Sequence, residues 1–403
     1  MKQKGLVDFF EHFLNKEPLF LDKKILQSSF TPKDIPHRDN QIKQIADILA
    51  PSLKLDKPSN LFIYGKTGTG KTVTVKYVTS KIKDVAKQRK IPLTIFYVNC
   101  KLKKVADTEY RLIAELARSL GKEIPATGLP TDEVYKIFFN AVDSKEQLLL
   151  LVLDELDQLV KKAGDELLYN LTRVNSEFKK GQLSIIGISN DLVFRDALDP
   201  RVKSSLSEEE LVFPPYNALQ LQSILKSRAK NAFIEGSVEP GTIEKCAAYA
   251  AREHGDARRA LELLRVAGEL AEREGNKNVQ IGHIDLAEDK IERDRIQDIV
   301  LTQPKQHQAT LYSVLLVCSK TKDAVFTGEV YELYKKICLE SGLRPLTQRR
   351  VSDIIAELDM IGIINAKVIS KGRYGRTREI SLALHNTTTP KIKSILEEGL
   401  NLA

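Results

Sequence analysis

A parallel α/β sheet domain, a small helical domain and a C-terminal domain of helices with one hairpin are predicted from three observations. Short β-branched and aromatic runs alternate with helical segments through the first half of the chain. From Tyr216 to about Val300 the only periodicity is helical. Beyond the linker-like Leu301-Thr302-Gln303-Pro304-Lys305-Gln306, two apolar runs flank an Arg/Gly-rich turn. The domain limits that follow are residues 1–215, 216–300 and 301–403.

The strands come first. Leu61-Phe62-Ile63-Tyr64, Ile95-Phe96-Tyr97-Val98, Leu148 to Leu153, Ile185-Ile186-Gly187-Ile188 and Leu211-Val212-Phe213 are nearly continuous apolar runs. Strands covered by helices on both faces read this way. Leu112, Leu116 and Leu120 mark a helix between two of them, and Pro214-Pro215 closes the sheet domain. In the second domain Ala257, Ala260, Leu261, Leu264, Ala267, Gly268 and Ala271 form one helical stripe. In the third, Val351, Ile354, Ile355, Leu358 and Ile361 make an apolar helix face, and strands at Ile363 to Ile369 and Glu379 to Leu384 enclose the turn.

Composition narrows the class. The 403 residues are 42% hydrophobic and 29% charged, which supports packed cores and excludes disorder. The longest central apolar run, Leu148 to Leu153, is far short of a membrane span, and the start Met1-Lys2-Gln3-Lys4-Gly5 lacks a signal-peptide core. A soluble, cytoplasmic chain is expected. Cys100, Cys246, Cys318 and Cys338 are scattered and do not cluster with histidines, so neither a disulfide framework nor a zinc site is indicated. The net charge of +8 fits a nucleic-acid partner or ordinary solvated surface, and local clustering must decide.

Gly65-Lys66-Thr67-Gly68-Thr69-Gly70-Lys71-Thr72 matches the P-loop pattern, just after a strand and at the start of a helix, and with Val73 makes the candidate nucleotide-binding loop. Its glycines let backbone N–H groups surround phosphate oxygens at a helix N-terminus. Lys71 would reach the β- and γ-phosphates of a nucleotide, and the Thr72 hydroxyl would ligate Mg²⁺. Asp154-Glu155 ends a buried strand, where a parallel sheet opens to its ligand crevice. Asp154 would hold Mg²⁺, and Glu155 would be the general base; two acids after a strand also serve as helix caps, and the pairing with the P-loop favours the functional role. Asn190 could position the attacking water or simply sit in a turn. Arg201, in Asp199-Pro200-Arg201, could serve a neighbouring subunit's γ-phosphate or make a surface salt bridge. Arg258 opens the striped helix of Gly255-Asp256-Ala257-Arg258, an unfavourable place for a cation unless an anion lies near.

In the last domain Thr347, Gln348, Arg349, Arg350, Ser352 and Asp353 lie near the start of a helix suited to base recognition. Lys371-Gly372-Arg373-Tyr374-Gly375-Arg376-Thr377-Arg378 has four basic residues and no acid, which reads as the tip of a wing. A charged hairpin can also be a solvated edge, and winged domains can bind protein; the recognition-type helix beside it favours DNA.

Together these strings resemble the AAA+ ATPases of the initiator group, specifically the archaeal replication initiators related to the origin recognition complex and cell division control family. The similarity runs in order through the P-loop, Asp154-Glu155, Gly187-Ile188-Ser189-Asn190-Asp191, Asp199 to Leu206, Gly255 to Leu261 and the winged helix. The resemblance implies an AAA+ P-loop NTPase sheet domain with a helical lid, plus a C-terminal winged-helix domain. It implies Asn190 as sensor 1, Arg258 as sensor 2 and Arg201 as a trans-acting finger. It further implies nucleotide contacts from Tyr216 and Arg228, adenine-side contacts around Pro36, His37, Arg38 and Asp39, and a DNA-touching insertion around Lys103 to Arg111.

The function implied is an ATP-dependent initiator that binds double-stranded origin DNA and helps recruit or load the replicative helicase, with slow hydrolysis as a switch. ATP/ADP and Mg²⁺ are the expected cofactors, and paralogous initiator subunits are further expected partners. A nucleoid-associated location follows. A branch-migration motor and an ATP-dependent winged-helix transcription regulator are the alternatives; they differ in assembly and in the DNA they occupy.

Overall fold

Strand β1 (Leu61–Tyr64) illustrates how this sheet is built, because its side chains alternate between two cores. Leu61 and Ile63 pack on one face with Ile45, Leu49, Val75 and Val78, while Phe62 packs on the other with Leu112, Phe138 and Leu206. The computed structural model describes residues 18–28, 30–32, 34–101, 108–125, 128–194, 198–206, 208–320, 325–370, 376–383 and 389–402. The chain divides into two compact units, Met1–Ile284 and Asp285–Ala403.

In the first unit β2 (Leu93–Asn99), β3 (Gln147–Asp154), β4 (Gly181–Ser189) and β5 (Glu209–Val212) join β1 in a parallel sheet of order β2-β3-β4-β1-β5. Every residue of β3 is buried. The register pairs Asp154 with Ile188 and Tyr64 with Ser189, so β1, β3 and β4 finish side by side at one end of the sheet. Helix α1 (Asp39–Leu49) and helix α2 (Lys71–Arg89) cover the face on which Leu61 lies. On the opposite face lie α3 (Glu109–Ser119), α4 (Thr131–Val142), α5 (Leu156–Ala163), α6 (Glu166–Arg173) and α7 (Pro200–Leu206).

The helical segment follows. Helix α8 (Ala218–Ala232) starts with a reciprocal capping box between Asn217 and Gln220, and α9 (Thr242–Glu253) leads to α10 (Ala257–Glu274), whose N-cap is Asp256. Gly268 in the α10 stripe allows a close approach: an added Cβ would lie 2.5 Å from the Phe20 ring, which stacks on Phe233. Among the described residues this segment has no strand, only two isolated bridges, Phe233 to Phe20 and Val238 to Val279.

Helix α11 (Ile281–Thr302) and helix α12 (Lys305–Lys320) absorb most of the predicted linker, because Pro304 is tolerated just ahead of a helix and its carbonyl accepts the Gln308 N–H at 3.0 Å. The second unit continues with β6 (Val325–Phe326), α13 (Thr327–Glu340), α14 (Gln348–Met360), β7 (Ile364–Ser370), β8 (Arg376–Leu382) and α15 (Thr389–Leu400). Its strands form an antiparallel sheet of order β6-β8-β7. Tyr334, Val351, Ile354, Ile355, Leu358, Ile364 and Leu396 share one core. No described helix is long and apolar enough to cross a membrane.

Candidate functional site

The ends of β1 and β3 deliver their polar residues into one cavity of about 650 Å³. Its lining includes Gly68, Gly70, Lys71, Thr72 and Val73 from the P-loop and α2, Asp154 and Glu155 after β3, and Asn190 after β4. Tyr216, Arg228 and Arg258 come from the helical segment, and Ile25, Phe30, Ile35 and Pro36 from the chain ahead of α1. Gly70, the N-cap of α2, holds φ at 92°, a left-handed backbone that glycine adopts without strain.

The Lys71 side chain is buried under this loop, and its ammonium donates to the carbonyls of Gly65 at 2.7 Å and Lys66 at 2.8 Å. Burial, with the Arg258 charge nearby, lowers its pKa to about 8. The Thr72 hydroxyl donates to Asp154 Oδ2 at 2.9 Å, and the Glu155 N–H donates to Oδ1 at 3.0 Å. Glu155 sits in left-handed backbone at φ 56°, and Lys101 lies 3.9 Å from its Oε2. A hydroxyl and a carboxylate so placed are hard oxygen donors suited to Mg²⁺, which takes few protein ligands and leaves the remainder to phosphate and water. No group of three or more His, Cys, Asp or Glu side chains that could hold a metal ion occurs among the described residues.

The start of α10 meets the P-loop directly. The Ala257 N–H donates to the Gly68 carbonyl at 3.2 Å, and a Cβ on Gly68 would collide with the Asp256 carboxylate. Asp256 caps its own helix through the N–H groups of Arg258 and Arg259 at 2.7 and 3.3 Å. The exposed Arg258 therefore opens a helix that is already seated on the phosphate loop.

Other predicted residues are placed differently. Arg38 is buried behind the cavity, donating to the carbonyls of Thr69 at 2.9 Å and Pro214 at 2.6 Å, with its guanidinium 3.8 Å from the Tyr216 ring centre. His37 and Asp39 are exposed beside it and do not line the cavity. Arg228 is tied to the Ile25 carbonyl at 3.4 Å and lies over Phe30. Arg201 lies away from the cavity, exposed and paired with both Asp199 carboxylate oxygens at 3.1 Å.

Three family models match in chain order: an AAA domain over residues 55–193, a Cdc6 AAA+ ATPase-type lid domain over 222–289 and a CDC6 C-terminal winged helix domain over 298–390. The ORC1-type DNA replication protein of Pyrococcus abyssi is 52% identical over 398 residues, 98% of this chain and 94% of its own. The chain belongs to the ORC1-type DNA replication protein family. The ORC1-type DNA replication protein 1 of Methanosarcina mazei is 49% identical over 394 residues, covering 97% of this chain and 94% of its own. Among solved structures, the Aeropyrum pernix ORC1 protein in complex with DNA superimposes with a TM-score of 0.82 at 42% identity, over 95% of this chain and 98% of that one. The AAA+ sheet, the lid and the winged helix are thus the architecture of an ORC1-type protein.

This ORC1-type chain also places residues that sequence reasoning missed. Asp157, in the first turn of α5, is buried and accepts from Ser189 Oγ at 3.2 Å and the Asn190 N–H at 3.4 Å, which fixes the end of β4. Tyr97 and Lys76 line the cavity, with the Lys76 ammonium 4.1 Å from the Tyr97 ring centre. In the winged unit Thr347 caps α14 through Oγ1, which accepts the Arg350 N–H at 3.4 Å. Gln348, Arg349 and Arg350 are exposed, and Arg350 faces Asp353 at 3.8 Å and Glu357 at 3.4 Å. Of the wing candidates, Lys371, Arg373 and Tyr374 lie outside the described residues, as does the side chain of Arg376. Most of the insertion expected at Lys103 to Arg111 also lies outside them, with Glu109 to Arg111 forming the first turn of α3.

Proposed function

We propose that this ORC1-type chain is an ATP-dependent replication initiator that grips double-stranded origin DNA and helps recruit or load the replicative helicase. Slow ATP hydrolysis resets it. The observation that carries the nucleotide part is the convergence of Lys71, Thr72, Asp154, Glu155, Asn190 and Arg258 on one cavity. Relatedness to ORC1-type proteins along nearly the whole chain supports the origin part.

In this reading residues 1–215 hold the nucleotide, 216–300 form the lid and 301–403 hold DNA. Lys71 and the loop N–H groups bind the β- and γ-phosphates, and Glu155 takes a proton from the attacking water that Asn190 orients. Thr72 and Asp154 hold Mg²⁺, which neutralises phosphate charge when bound. Arg258 reports the γ-phosphate to the lid, and Arg201 exchanges Asp199 for a paralogous subunit's nucleotide. Tyr216, Arg228 and Pro36 line the base and ribose end, and Arg38 braces the phosphate loop by holding the Thr69 carbonyl. Thr347 to Arg350 read the major groove, and Lys371, Arg373, Tyr374 and Arg376 track phosphates.

Genome-wide mapping of DNA bound by the wild type tests the proposal. Enrichment at replication origins is expected. Enrichment at branched junctions would support a motor instead, and enrichment at promoters a regulator; either overturns the initiator reading.

A further inference from the structure

Tyr97 is a polar residue of the cavity to which the phosphate-loop chemistry gives no role. It lies on β2, an edge strand, directly opposite Val152 of β3, while Asn99 is opposite Asp154. Side chains two apart share a face, so Tyr97 and Asp154 sit diagonally on the same side of the sheet. The phenol spans that diagonal and donates its hydrogen to Asp154 Oδ2, the oxygen that also accepts the Thr72 hydroxyl.

Three donors therefore converge on one carboxylate. Thr72 comes from the P-loop helix, the Glu155 N–H from the turn after β3, and the Tyr97 hydroxyl from the neighbouring strand. The Asp χ2 torsion is intrinsically broad, so the plane of an aspartate is set by such partners. The ring of Tyr97 has its own support, lying under the Lys76 ammonium at 4.1 Å. Packing explains the ring and leaves the hydroxyl to be explained by Asp154.

We propose that Tyr97 is a positioning residue for magnesium: its hydroxyl fixes the Asp154 carboxylate in the plane that lets Thr72 and Asp154 act on the metal together. This rests on the assignment of Thr72 and Asp154 to Mg²⁺ made above. A Thr hydroxyl can offer its oxygen to a cation while its hydrogen stays on Asp154 Oδ2. Tyr97 then keeps that carboxylate from turning away. A purely structural tyrosine, satisfied by Asp154 without positioning it, would leave metal affinity unchanged on loss of its hydroxyl.

Tyr97→Phe separates the two, because the ring and its Lys76 contact remain. ATP binding to the full-length protein is titrated at a series of magnesium concentrations and again in EDTA. The magnesium half-saturation should rise about tenfold, the low end of the effect of removing a partner hydrogen-bonded to a metal ligand. Metal-free ATP affinity, which also reports that the variant is folded, should change by much less. Equal half-saturation in variant and wild type, with a clear wild-type response, overturns the role of Tyr97 alone. A wild type whose ATP affinity ignores magnesium overturns the metal assignment and the role of Tyr97 with it.

Discussion

Two of the helix starts to which the proposed function assigns polyanions, those of α2 and α14, present their cations in opposite ways. At the start of α2, Lys71 is buried, pinned by the Gly65 and Lys66 carbonyls and capped by a left-handed glycine. At the start of α14, Gln348, Arg349 and Arg350 stand exposed behind a threonine cap. A charge held out of water interacts strongly with a ligand small enough to enter, whereas exposed charges are screened by salt and suit a long ligand that covers them. In the proposed function, burial more than charge decides which polyanion each helix holds.

The sharpest way to break this comparison is at the buried end. Lys71→Ala should remove most ATP affinity, while Glu155→Gln should keep ATP bound and slow hydrolysis by ~10²–10⁴-fold, because only the proton acceptor is lost. Equilibrium titration and single-turnover hydrolysis measure the two separately; equal loss of binding in both would remove Glu155 from the role of base.

At the exposed end the expected effects are smaller and depend on sequence. Arg349→Ala should cost ~1–3 kcal/mol on an origin duplex and spare a scrambled one, while Arg373→Ala or Arg376→Ala should weaken both and lower the salt slope by about one unit. Titrations of the two duplexes at several salt concentrations decide. Uniform loss with Arg349→Ala would make the helix a phosphate contact.

The smallest effect is pH dependence confined to the buried lysine. Its pKa of about 8 lies below the ordinary lysine value, so the ammonium is present below pH 8 and is lost as pH rises through it. Bound phosphate favours the charged form, and ATP affinity should therefore be flat below pH 8 and fall above it by at most about tenfold per unit. Lys71→Arg cannot lose its proton in this range and should show no such fall, whatever its absolute affinity. Binding titrations from pH 7 to pH 9.5 measure both.

The residues that sequence alone made legible are those whose chemistry is local. The P-loop and the acid pair after β3 depend on spacing within a few residues, and the structure brings them into one cavity. Tyr97 and Asp157 depend on register between strands and on where α5 turns, neither of which spacing reveals. Arg38, which the resemblance to the initiator family places on the adenine side, has its guanidinium on the backbone carbonyls of Thr69 and Pro214, partners that lie far from it in sequence. The first half of β4 was hidden by Gln182 and Ser184, polar residues in a strand whose apolar run begins at Ile185. The short β6 offers only Val325 and Phe326, too few for a periodic signal.

The bond from the Ala257 amide to the Gly68 carbonyl has a consequence for how the protein is made. Its two ends are far apart in sequence, so the entropy of closing the intervening chain must be overcome before it can form. A chain still on the ribosome, with α10 not yet emerged, carries the complete glycine-rich motif without this bond and without the Asp256 carboxylate against Gly68. If the cavity holds ATP as proposed, full nucleotide affinity is expected late in folding, because Arg258, which lines the cavity from α10, is made after the motif.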